Sequence, residues 1–95
     1  MNLITDIKLK KYFSITEKAL KKAKIKIPER THLHVVAMDF YNMAELYFND
    51  AKHFEQKGNL VNAFAALNYA HGWLDAGARL GLFDVKHDSK LFTVD

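Results

Sequence analysis

The chain has no cysteine, one proline and only two arginines, Arg30 and Arg79, among 95 residues. Without cysteine there are no disulfides, thiolate metal sites or thiol nucleophiles. A reducing cytoplasm fits that absence. No long apolar run is present either. The most weakly polar stretch, Leu60 to Leu74, is broken by Asn62, Asn68 and His71. It is too short and too polar for a membrane span. The first residues are apolar only in pairs and soon turn lysine-rich, so no secretory signal is expected. A strong charge of one sign is also missing overall, since the net charge is only +3. That small value hides an asymmetry. Residues 1–30 carry nine basic and three acidic side chains, and the remainder carry five basic and eight acidic ones. The basic character therefore belongs to the N-terminal third.

What is present is enough for one folded domain. Seven Phe, four Tyr and one Trp supply ample apolar surface, and a chain of this length buries roughly 60–65% of its unfolded surface. Three periodic segments follow. Leu9, Tyr12, Phe13, Thr16, Leu20 and Ala23 recur at three- and four-residue spacing, which predicts a helix over about 5–24 with Thr5 or Asp6 as its cap. Ile25-Lys26-Ile27 before Pro28 reads as an extended connector. A second helix, about 31–57, carries the stripe Val36, Phe40, Met43, Tyr47, Ala51, Phe54, widened by Ala37, Tyr41, Ala44 and Phe48. Gly58 ends it. Asn59 caps a third helix, about 59–80, and Gly81 stops that one. The tail, 82–95, has no helical period. Its Leu82, Phe83, Val85, Leu91, Phe92 and Val94 are too apolar to lie free, so it is expected to fold back on the helices or onto another copy, with a turn at Asp88-Ser89. The expected fold is all-α: an antiparallel three-helix bundle with a non-helical C-terminal tail, in a single domain.

Two resemblances sit on these segments. Tyr47, Ala51, Phe54, Gly58, Leu60, Ala63, Leu67 and Ala70 resemble one tetratricopeptide repeat, in which small residues let two antiparallel helices approach closely. Asp75 stands where that repeat has its closing proline, and arrays need about three units. The likeness is to a single hairpin. The run from Asn62 to Arg79, followed by Leu80-Gly81-Leu82-Phe83, resembles the signature of a small archaeal helical family, domain of unknown function 357. That resemblance implies a helical bundle and an archaeal cytoplasmic source. It implies no activity and no cofactor.

The residues that could carry chemistry are few. His71 and Asp75, four apart on one helix face, could act as an acid–base pair or, with a third ligand, hold zinc. The plainer reading is a half-buried core histidine beside an aspartate that pairs with Arg79. His32 and His34 could chelate a metal only on extended backbone, because on a helix their rings point about 200° apart. Lys10, Lys18, Lys21 and Lys24 could contact phosphates. The first helix offers no arginine and no aromatic among those lysines for base reading or stacking. Gly72 and Gly77 each cost about 1 kcal/mol inside a helix. With Ala76 they leave a strip without bulk, which suits close approach of another helix. The expected interaction surface is Asn68, Gly72, Asp75, Ala76, Gly77 and Arg79, with Leu91 and Phe92 of the tail. The function expected from these features is a non-catalytic protein-interaction or assembly module, with a homodimer or a protein partner. The alternative is a nucleic-acid-associated protein using the basic first helix. An enzyme is not expected, for want of a nucleophile with an adjacent base.

Overall fold

A computed structural model describes residues 5–86, 88, 91 and 92. Three helices run α1 (Asp6–Lys22), α2 (His32–Gln56) and α3 (Leu60–Arg79), with two short strands, β1 (Lys24–Ile25) and β2 (Phe83–Asp84). The helix ends agree with the sequence expectation to within two residues. Each N-terminus is closed by a short side chain. The Thr5 hydroxyl accepts the Lys8 N–H at 3.1 Å, Thr31 accepts that of His34 at 3.1 Å, and the Asn59 amide oxygen accepts that of Asn62 at 3.3 Å. Each bond satisfies a backbone donor that the helix leaves unpaired. Gly58 takes φ 75°, and the Asn59 N–H returns to the Phe54 carbonyl at 2.9 Å. This turn reverses the chain in two residues, so α2 and α3 pack antiparallel.

Alanine recurs along the faces on which α2 and α3 are buried, beside Leu67 and Leu74 of α3. Ala37, Ala44 and Ala51, spaced by seven, are fully buried, as are Ala63 and Ala70 opposite them. A seven-residue step returns almost to the same side of a helix. Small side chains there let the two backbones come close, so larger ones stand on the two flanks. On one flank α1 lies across the hairpin. Tyr12 meets Phe64 edge-to-face at 4.8 Å, and Phe13 meets Phe48 at 5.8 Å. The Tyr41 hydroxyl donates to the Leu20 carbonyl at 3.0 Å. Burial, and then the nearby Glu45 carboxylate, raise the Tyr41 pKa above its ordinary value of 10.0, so the phenol stays a donor.

The tail closes one end of the bundle. β2 pairs antiparallel with β1, Ile25 opposite Phe83 and Lys24 opposite Asp84. Two-residue strands are too short to show a period, which is why the pairing was not expected. Lys24, expected at the end of the first helix, stands instead on β1. Leu82, Phe83, Val85 and Phe92 are all buried in this same chain. The Asp88 carboxylate accepts the Leu91 N–H at 3.1 Å and meets Lys22 at 3.3 Å. Val94, Ser89 and His87 lie outside the described residues.

Gly77 is filled from within. A Cβ placed there would collide with the Phe83 ring, which also meets Tyr41 edge-to-face at 6.2 Å. Gly77→Ala is therefore expected to destabilise the fold by about 1–3 kcal/mol, the usual cost of overpacking. Urea unfolding measures it, and a shorter side chain at Phe83 should recover part of the loss.

Candidate functional site

α1 and α3 diverge enough to leave a cleft of about 230 Å³. Tyr12, Ile15 and Thr16 line it from α1, and Leu67, Asn68, His71, Gly72 and Asp75 from α3. The sequence brought His71 and Asp75 together by their four-residue spacing, and they do meet. His71 Nε2 is 3.6 Å from Asp75 Oδ1, an ion pair when the imidazole is protonated but longer than a hydrogen bond. Phe92 of the tail stacks against the imidazole at 6.3 Å and 26°. His71 is thus held between a carboxylate and an aromatic ring. The contribution of α1 was missed. Thr16 is the one buried polar side chain among the described residues, 2% exposed, and its place in the apolar stripe of α1 hid it.

The chemistry this cleft supports is limited. Small-molecule sites are commonly 300–1,000 Å³, so there is room for one side chain or a very small polar molecule. Among the described residues no group of three or more His, Asp or Glu could hold a metal ion. His32 and His34 do not converge. His34 Nδ1 lies 2.9 Å from the Ile27 carbonyl, which ties the connector to α2, and His32 is exposed.

The expected interaction surface divides. Asn68, Gly72, Ala76 and Arg79 are exposed on α3, Asp75 and Leu91 are half-buried, and Gly77 and Phe92 are covered. Gly77 and Phe92 are corrected accordingly: the tail, not a second molecule, fills the space above Gly77, and Phe92 packs inward on His71. The lysines divide too. Lys10 and Lys18 are exposed on α1, Lys21 pairs with Glu17 at 3.1 Å, and Lys24 has left the helix.

A second surface lies on the other flank of the hairpin. Phe40 meets Trp73 edge-to-face at 5.0 Å, and Tyr47 stacks on Tyr69 at 5.4 Å. Trp73 is nine residues beyond Phe64, about 180° around the helix, so this surface faces away from α1. Phe40, Met43, Tyr47 and Trp73 are only half-buried, while Tyr69 and Leu80 are 62% and 67% exposed. None of the six carries a charge.

The model of a family described as "Protein of unknown function (DUF357)" matches residues 11–83. No curated protein and no solved structure matches the chain. The matched span contains α1 from Lys11 onward, the whole hairpin, both flanks and Phe83.

Gly72 has nothing within 4 Å of the place where a Cβ would stand. Gly72→Ala is therefore expected to stabilise the helix by about 0.5–1 kcal/mol, the opposite sign to Gly77→Ala. A lower urea midpoint for Gly72→Ala would show that this rim of the cleft is not open.

Proposed function

We propose that this chain, which belongs to the family of unknown function DUF357, is a non-catalytic protein-interaction or assembly module. The open flank of the α2–α3 hairpin carries the reading. Six large uncharged side chains stand there, Tyr69 and Leu80 the most exposed, and exposed apolar patches mark interaction sites. Tyr and Trp are also the side chains most enriched where binding energy concentrates. The tail no longer belongs to the interaction surface, since its described apolar side chains are half-buried or buried against the helices. The cleft beside His71 has room for one side chain or a very small molecule. The archaeal source and cytoplasmic setting implied by the family resemblance belong to this same proposal. No described helix is long and apolar enough to cross a membrane.

The second reading, a nucleic-acid-associated protein, draws on the exposed Lys10 and Lys18 of α1. Phosphate contact of that kind is salt-sensitive and independent of sequence. The two readings use opposite sides of the molecule, so one experiment separates them. Tagged protein is produced in its source cell beside the untagged chain and recovered with everything bound. We expect a protein to be retained, whether an untagged copy or a different chain, and to be lost with Tyr69→Lys. Recovery of RNA or DNA that falls with salt and with Lys10→Glu plus Lys18→Glu, but not with Tyr69→Lys, would overturn the interaction reading in favour of the second.

A further inference from the structure

We infer that Tyr47 and Tyr69 are an oxidative modification site, at which a one-electron oxidant joins the two phenols into a dityrosine that ties α2 to α3. The inference goes beyond the interaction reading and does not depend on it. Two observations carry it.

The first is the geometry of the pair. Tyr47 of α2 and Tyr69 of α3 stand at equal sequence distance from Gly58, so the antiparallel hairpin brings them to one level. Their rings stack, with centroids 5.4 Å apart and planes 30° from parallel. Of the ring pairs among the described residues, this one alone joins two phenols. Tyr47 is packed against the core, which fixes one ring. Tyr69 is 62% exposed, which gives an oxidant access and leaves that ring free to close on its partner.

The second is what holds the other two tyrosines. The Tyr41 hydroxyl donates to the Leu20 carbonyl at 3.0 Å, and burial, with the Glu45 carboxylate nearby, keeps the proton on it. Oxidation of a phenol releases that proton, so Tyr41 is the harder one to oxidise. Tyr12 packs edge-to-face on Phe64 at 4.8 Å and lines the cleft between α1 and α3. Neither ring meets a second phenol. The chain also has no cysteine, so no thiol competes for the oxidant.

The step consumes two equivalents of a one-electron oxidant. Each phenol gives one electron to the oxidant and its O–H proton to water. Each phenoxyl radical then carries part of its unpaired density on the ring carbons ortho to the oxygen. One ortho carbon of Tyr47 bonds to one of Tyr69, and the hydrogen on each of those carbons leaves for its phenol oxygen as a proton. One carbon–carbon bond forms, two carbon–hydrogen bonds break, and both hydroxyls are restored. The chain loses two hydrogens in all. The product closes a covalent loop across Gly58, which restricts the unfolded chain as a disulfide would.

The test exposes the full chain, dilute, to photo-oxidised tris(bipyridyl)ruthenium with persulfate. Dityrosine emission, intact mass and the linked peptides in tandem mass spectrometry are followed. We expect a product at the mass of one chain less two hydrogens, with the link between Tyr47 and Tyr69. Tyr47→Phe and Tyr69→Phe keep the rings and remove one hydroxyl, so each should retain the circular dichroism of the wild type and lose both link and emission. Tyr12→Phe should keep both. The linked chain should unfold at a higher urea midpoint than the unlinked one. A chain whose methionines take up oxygen while no two-hydrogen loss occurs overturns the inference, because the oxidant then reached the protein and the pair did not react. So does a link that maps to Tyr12 or Tyr41, or that joins two chains. A lower urea midpoint for the linked chain also overturns it, because the rings would then have left their stacked places to react.

Discussion

The closeness of α2 and α3 is the constraint from which the rest of this structure follows. Ala37, Ala44, Ala51, Ala63 and Ala70 are fully buried, and side chains this small let the two backbones approach closely. The hairpin's large side chains must then stand to either side of the seam. Protein interiors pack as densely as organic crystals, so each flank needs its own cover. One flank has it. α1 lies across Phe48, Phe64 and Tyr41, and the tail turns back to seat Phe83 over Gly77.

The same constraint explains where polar groups collect. α1 meets α3 along Tyr12 and Phe64 and then parts from it, and the gap takes Thr16, Asn68, His71 and Asp75. His71 sits between Asp75 and the Phe92 ring. A histidine and an aspartate four apart on a helix suggest catalysis when read alone. In this fold the imidazole also stacks on Phe92 of the tail. On the other flank the rings pair across the hairpin, Phe40 with Trp73 and Tyr47 with Tyr69.

Much of the fold was legible in the sequence because its signals are local. Thr5, Thr31 and Asn59 mark helix starts by their own side-chain chemistry, Gly58 and Gly81 mark stops by their positive φ, and the three apolar stripes have a helical period. What was not legible depends on contacts between distant segments. Ile25 opposite Phe83 is a pairing across most of the chain, carried by strands of two residues each. Gly77 looked like part of an open strip because its helix neighbours Gly72 and Ala76 are small. Only the position of Phe83 shows that one glycine is filled and the other is not. Thr16 was absorbed into an apolar stripe, since its spacing fits and a hydroxyl leaves no mark on periodicity.

The claim that a close alanine seam organises the molecule is tested most directly by enlarging one of its members. Urea unfolding of Ala44→Leu should be compared with that of Ala65→Leu, at equal protein concentration. Ala44 is fully buried and Ala65 is exposed on the same hairpin. Leucine is a good helix former, so propensity alone predicts little change at either site. The account predicts a loss of about 1–3 kcal/mol at Ala44 and a change within about 0.5 kcal/mol at Ala65. A chain that accepts leucine at Ala44 without loss of stability would contradict it, because the two helices would then have room that a close seam does not allow.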